Sequence, residues 1–329
     1  MRQAGRYQPE YRAVREHHSL IDICKTPELA AEVTMIPIRQ TDFDAAIIFG
    51  DLMLPLEGLG VPYELRENVG PVIENPIRSE EQVKALRVFE PKRDVAYLLE
   101  ALGMVRRELN GRIPLIGFAG APFTIAAYMI EGKGSRDYRM TKTFMFSRPD
   151  LWRALMDHLA IALATYLRAQ VEAGAQAVQI FDSWIGCLGP SDYREYVFPH
   201  MKTMFTRLAG LGVPVIHFGT DTATLLRLQA AAGGDVIGLD WRIALDEGWR
   251  TAGPDRAVQG NLDPTVLFAD MDVVKRKTDE VLKAAGGRPG HIFNLGHGIL
   301  PGTPVETVQR IVDYVHESSA RAGAARTGR

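Results

Sequence analysis

Seven apolar runs in this chain stop on a polar residue or a glycine, and those stops are where chemistry can be held. They offer Asp51, Phe118-Ala119-Gly120, Asp182-Ser183, His217, Asp240, Asn261 and the stretch from Asn294 to His297. Each is equally open to a plainer role as a loop cap or a packing residue. A second cluster opens the chain, MRQAGRYQPEYRAVR. Arg2, Arg6, Arg12 and Arg15 fall within its 15 residues, and Gly5 interrupts any simple helix. Arginine presents a planar fork of donors that grips a carboxylate or phosphate through two parallel hydrogen bonds. The alternative for this cluster is a solvated basic loop.

Several chemistries find no support. There is no His-Glu-x-x-His or Cys-x-x-Cys, and of the histidines only His217 and His297 stand at strand ends, so no metal site is expected. Gly-x-Ser-x-Gly is absent, and nothing near Cys187 marks it as an activated nucleophile. No lysine ends a run, which leaves Schiff-base chemistry without its amine.

The elements that must position these residues follow from the runs themselves. AAIIFGD (45–51), IPLIGFAG (113–120), AQAVQIFDS (175–183), VPVIHFG (213–219), DVIGLD (235–240), RAVQGN (256–261) and HIFNLGHG (291–298) are mostly apolar rather than alternating. Strands covered on both faces read this way, as in a parallel sheet flanked by helices. Helical spacing is expected over 94–109, 150–172, 192–209, 221–232, 264–284 and 304–322, and GAARTGR then reads as a disordered tail over 323–329. Seven strands alternating with helices predict a single α/β domain over 1–322, a (β/α)8 TIM barrel whose first strand is truncated, its place being before or within RQAGRY. A doubly wound sheet is the rival, but it needs a Gly-rich turn after a strand, and Gly132-Lys133-Gly134 does not supply one. VPYELRENVGPVI (61–73) is either a hairpin turning near Glu67-Asn68 or an irregular loop.

Composition narrows the partners. The 329 residues carry 38 Lys+Arg against 40 Asp+Glu, a net charge of −2, so no chain-wide attraction to nucleic acid or membrane is expected. An anionic partner must meet locally clustered arginines. Two cysteines, Cys24 and Cys187, make no disulfide framework. No apolar run is long enough to span a membrane and no signal core follows the N-terminus, which predicts a cytoplasmic protein.

MRQAGRYQPEY, AAIIFGDLM, GFAGAPFTIAAYMIEG, GLDW, VQGNLDP and NLGHGILP, in that order along essentially the whole chain, resemble the uroporphyrinogen decarboxylase family of haem biosynthesis. The resemblance implies one (β/α)8 barrel, a homodimer with facing clefts, and removal of CO2 from the four acetates of uroporphyrinogen III to give coproporphyrinogen III. It implies no cofactor. By the same resemblance Asp51 matches the family's central aspartate, which accepts hydrogen bonds from the pyrrole N–H groups. Arg2, Arg6 and Arg15, with Gln3 among them, match residues near the substrate's carboxylates, and Arg2 is the favoured proton donor or acetate anchor. Tyr128, Ser183 and His297 match contacts to the carboxylate periphery, and Phe118 lines the floor beneath the macrocycle. Asp51, Arg2 and Tyr128 are thus the expected catalytic residues. For Tyr128 a core position, and for Ser183 a helix N-cap, are the alternatives.

Departures are specific. Gly50 stands where the family often has serine, and Thr220 to Thr224 differ from the family's form, leaving Asp221 without a role. Family members carry a leader with the first barrel strand ahead of this motif, so the native start is expected upstream of Met1. Two rivals remain. Related barrel methyltransferases hold zinc through a His-x-Cys pair, where this chain has His217-Phe218-Gly219. A non-catalytic tetrapyrrole-binding protein would share every binding residue.

Overall fold

A computed structural model of the chain describes residues 7–66 and 69–327, with side chains as far as residue 320. Arg2, Gln3 and Arg6 lie outside the described residues, as does the turn at Glu67-Asn68.

All seven expected strands form. They are β1 (Ala46–Ile47), β4 (Leu115–Gly120), β5 (Ala177–Asp182), β6 (Val215–Gly219), β7 (Val236–Gly238), β8 (Ala257–Leu262) and β9 (His291–Leu295), and 61–73 holds the hairpin β2 (Glu64–Arg66) and β3 (Gly70–Val72). The seven make one curled sheet in the order β1-β4-β5-β6-β7-β8-β9 with every pairing parallel, while β2 and β3 pair antiparallel. Helices cover the outside, so all six residues of β4 and all five of β6 are buried. This is the α/β-barrel architecture, with its strand C-termini converging on one mouth.

Among the described residues no strand lies between β9 and β1. Side chains from the two chain ends meet across that gap. Tyr7, only 4% exposed, packs in a cluster with Leu262, Leu267, Ile299, Val308 and Ile311. Gln309 of the last helix donates to the Gln40 carbonyl, and Gln8 donates to the Gln40 side chain.

Helix boundaries differ from the periodic pattern where local chemistry intervenes. The stretch 192–209 splits into Pro190–Tyr196 and Phe198–Leu208, because a proline at 199 cannot continue a helix running through 195. The stretch 221–232 is helical only over Leu226–Ala232, since Asp221 takes a left-handed φ of 59°. The stretch 264–284 becomes a 3-10 turn, Pro264–Phe268, capped by the Asp263 side chain, and then a helix, Met271–Ala285. The final helix, Val305–Thr327, runs past residue 322, so most of the segment expected to be a disordered tail is helical. Its alanines, the best helix formers, account for the extension.

Side-chain parity along β6 settles one candidate. Phe218 packs beside its register partner Phe181 on the adjacent strand, ring centroids 6.0 Å apart. His217, the next residue back, must point the other way. It lies against Phe205 of the helix layer at 5.1 Å, and its Nδ1 meets the Gly233 carbonyl at 3.2 Å. His217 is therefore a core residue rather than a site residue.

Burial pushes the His217 imidazole down from 6.5 to about 4. The folded chain thus favours the neutral ring. The stability this gives is present above pH 6.5 and is lost as pH falls toward 4, a few kcal/mol across that window. Urea unfolding of His217→Leu against the unaltered chain, at pH 7.5 and pH 4.5, reads it out. The unaltered chain loses more stability between the two pH values than the variant does; equal losses would contradict the neutral, buried histidine.

Candidate active site

The site is built at the strand C-termini. β1 is short, and its ladder to β4 ends with Ile48 N–H on the Ile116 carbonyl at 3.0 Å. Beyond it Thr34, on the helix Pro27–Gln40, accepts the Phe49 N–H at 2.9 Å. Gly50 then turns the chain against Phe118. A Cβ there would stand 3.5 Å from Phe118 Cζ, an ordinary contact, and 3.3 Å from Leu54 Cδ1, a close one. Asp51 follows, half-buried, with its Oδ1 accepting the Met53 N–H at 2.9 Å.

Phe118 is held from behind. Gln170, fully buried on the helix Pro149–Glu172, accepts the Phe118 N–H and donates to the Phe118 carbonyl, both at 2.8 Å. In a parallel ladder residues two apart point their polar groups the same way, so these two bonds replace those the short β1 does not make. Gly117 lets Gln170 approach, since a Cβ there would lie 2.6 Å from its Oε1. Phe118 begins an aromatic row across the mouth. Centroid separations are 5.8 Å to Phe181, 6.0 Å from Phe181 to Phe218 and 6.4 Å from Phe218 to His297. Trp241 stands 6.3 Å from His297. The expected floor and periphery residues Phe118 and His297 thus belong to one surface.

Tyr128 is buried on the helix Pro122–Glu131, its ring 3.8 Å from that of Trp184, and Tyr138 lies 5.2 Å from Trp184. Ser183, half-buried, sits between Asp182 and Trp184 just past β5. It is not a helix N-cap: that position before the 3-10 turn Ile185–Cys187 belongs to Trp184. The Trp184 N–H is accepted by Thr124.

Arg15 lies on the helix Pro9–His17, whose Tyr11 ring packs 5.7 Å from Phe49. Its guanidinium donates to the His18 carbonyl at 2.7 Å. Burial pushes the Cys24 thiol up and the Asp51 charge pushes the same way, while a hydrogen bond from the Asp51 backbone and the Arg15 charge oppose them.

Other strand-end polar residues are structural. Asp240, 2% exposed, accepts from the Asp221 N–H at 2.6 Å, the Arg242 N–H at 3.0 Å and the Arg242 guanidinium at 2.8 Å. Arg242 also pairs with Asp221 at 2.7 Å and stacks over Trp241 at 4.1 Å. This latch gives Asp221 its role, tying the loops after β6 and β7. Asn261 donates to the Asp240 and Ile243 carbonyls. Trp184, Trp241, Thr124 and Gln170 were not singled out from the sequence, although Trp241 and Thr124 lie within the motifs GLDW and GFAGAPFTIAAYMIEG and Gln170 is a polar residue among apolar helix positions. No cluster of three or more His, Cys, Asp or Glu able to hold a metal ion occurs among the described residues.

What such a mouth can do is hold a molecule with a broad apolar face against its aromatic row, with the Asp51 carboxylate beside that row to meet hydrogen-bond donors or positive charge. Comparison with known proteins gives that geometry a context. The family model described as uroporphyrinogen decarboxylase (URO-D) matches residues 1–318. A uroporphyrinogen decarboxylase of Carboxydothermus hydrogenoformans is 55% identical over 320 residues, covering 97% of this chain and 91% of that protein. One from Sorangium cellulosum is 56% identical over 316 residues, covering 96% and 90%. Among solved structures, a methyltransferase from Methanosarcina mazei superposes with a TM-score of 0.73 over 90% of this chain and 87% of its own, at 19% identity, a likeness of fold.

Proposed function

The chain belongs to the uroporphyrinogen decarboxylase family, and from that premise we propose that Asp51 is the charge around which its reaction is organised. The enzyme is a carboxy-lyase that removes CO2 from the four acetate side chains of uroporphyrinogen III, giving coproporphyrinogen III. Loss of CO2 leaves an electron pair that needs a sink. A pyrrole supplies one when the ring carbon next to the acetate-bearing carbon is first protonated. The carboxylate bond electrons then flow into the cationic ring and CO2 departs. Protonation of the exocyclic carbon and return of the ring proton complete the methyl, so each acetate consumes one proton and releases one CO2.

The cation needs a fixed negative charge in a poorly solvated place. The observation that carries the proposal is Asp51 held at the barrel mouth next to Gly50, which lies against the Phe118 ring. Its carboxylate accepts from the inward-pointing pyrrole N–H groups and stabilises the protonated ring, while Phe118 lies beneath the macrocycle. Arg2 donates the proton or anchors the reacting acetate. Arg6, Arg15 and Gln3 hold further carboxylates, and Tyr128, Ser183 and His297 meet the periphery. The pyrrole is its own electron sink, so the reaction proceeds without a cofactor. Two subunits pair with clefts facing, and the protein works in the cytoplasm. No helix among the described residues is long and apolar enough to cross a membrane.

The test is anaerobic incubation of the dialysed protein with uroporphyrinogen, with and without a chelator, and chromatography of the products. Intermediates of seven, six and five carboxylates appear and give way to the four-carboxylate product at an unchanged rate with chelator. Binding without products would favour a binding protein, and chelator-sensitive turnover would contradict cofactor-free catalysis.

Arg15 makes a separate prediction. Arg15→Ala raises KM on the order of 10-fold with little change in kcat, and the increase shrinks as salt is added. Initial rates at two ionic strengths decide it; an unchanged KM at both would remove Arg15 from the carboxylate contacts.

A further inference from the structure

Asp182 closes β5 beside Ser183, yet no step derived above uses it. It is 1% exposed, and Thr124, fully buried, donates its hydroxyl to Asp182 Oδ1 at 2.9 Å. Asp182 Oδ2 has no hydrogen-bond partner among the described residues. Burial pushes the carboxyl up to about 7, against the Thr124 bond. Such a group is costly to keep unless its one bond does something.

A hydroxyl has one proton. With Thr124 giving its proton to Asp182, the oxygen's lone pairs are directed elsewhere, and one accepts the Trp184 N–H at 3.3 Å. The Trp184 ring, held by that backbone, lies 3.8 Å from the Tyr128 ring at an interplanar angle of 31°. Thr124 and Tyr128 are four residues apart on one helix, hence one turn apart on the same face. The contacts therefore close a loop from Asp182 through Thr124 and Trp184 to Tyr128, joining the helix after β4 to the segment after β5.

We propose that Asp182 is a positioning residue that, by orienting the Thr124 hydroxyl, sets Trp184 against Tyr128 and so fixes the Tyr128 ring toward the substrate's carboxylate edge. The inference rests on Tyr128 being a substrate contact. Asp182 itself touches no substrate. An aliphatic residue at 124 would leave the carboxyl unpaired and the Trp184 N–H without its acceptor.

The experiment is a set of kinetic cycles with uroporphyrinogen. Thr124→Val lowers kcat/KM about 10–100-fold, the scale of a displaced contact group. Thr124→Ser, which restores the hydroxyl, recovers most of it. In a Tyr128→Phe background Thr124→Val adds less than about 3-fold, because both changes act on one contact. If Thr124→Val does not fold, Trp184→Leu takes its place, leaving the Asp182–Thr124 bond intact with the same expectation in both backgrounds. A loss of the same size with and without Tyr128→Phe would overturn the inference and leave Tyr128 as a contact. A Tyr128→Phe variant with unaltered kcat/KM would overturn the role of Tyr128, and the inference with it.

Discussion

Asp51→Ala lowers kcat/KM by roughly 10³-fold or more, with the unfolding midpoint close to that of the unaltered chain. The two halves of this expectation have different origins. In the fold Asp51 is half-buried and its Oδ1 caps the Met53 N–H at 2.9 Å. The catalytic part is a full charge placed where a pyrrole becomes cationic. Asp51→Asn separates them, because its amide oxygen still caps Met53 while the charge is gone. It loses nearly as much activity as Asp51→Ala. Anaerobic initial rates together with urea midpoints for both variants check this. Asp51→Asn with activity within 10-fold of the unaltered enzyme would mean that charge at this position is not what the reaction uses.

Gln170→Leu is the largest expected effect on the scaffold. The substitution keeps the volume and apolar character of a helix interior, so a reading by hydrophobicity alone expects little. But Gln170 serves the Phe118 N–H and carbonyl at once, at a strand edge where β1 has ended. Removing it orphans two buried backbone groups at about 1–3 kcal/mol each, so destabilisation of about 2–6 kcal/mol is expected. Activity falls as well at temperatures where the chain is still folded, since Phe118 loses its support. Urea unfolding and residual turnover test both. A loss of stability under 1 kcal/mol would show that Phe118 finds other partners.

The strands were legible because a barrel buries both of their faces, which writes each as a continuous apolar run with a polar stop. The order of parallel neighbours followed from the intervening helices. What the runs did not show is which residue at a stop faces inward. His217 and Phe218 are adjacent, and only the register with Phe181 shows that the phenylalanine joins the aromatic row while the histidine faces the helix layer. Asp240 and Asn261 were visible as polar strand ends, but their partners, Arg242, Asp221 and two carbonyls, come from loops whose approach no spacing records. The roles proposed for Asp51, Tyr128, Ser183 and His297 came from motif resemblance, because composition and periodicity carry no information on which carboxylate a substrate meets. Support from the second layer was least legible. Gln170 and Thr124 act across 52 and 58 residues of chain, distances over which local patterns say nothing.

The near-neutral charge of the chain is consistent with this site. A substrate bearing eight carboxylates asks for cations only where those groups lie, and the chain concentrates arginines in its first 15 residues. The centre of the macrocycle presents N–H donors instead, and an aspartate suits them.

That last contrast gives the most direct test. Coproporphyrinogen has four pyrrole N–H groups free to converge on one acceptor, whereas oxidised coproporphyrin is flat and has two. Both carry the same carboxylates. Equilibrium binding of each, the first under anaerobic conditions, is to be compared between the unaltered enzyme and Asp51→Ala. The unaltered enzyme binds the reduced ring at least 10-fold more tightly, and Asp51→Ala removes that preference while retaining affinity for the oxidised ring. A preference of the same size in both proteins would contradict Asp51 as the acceptor of the pyrrole N–H groups.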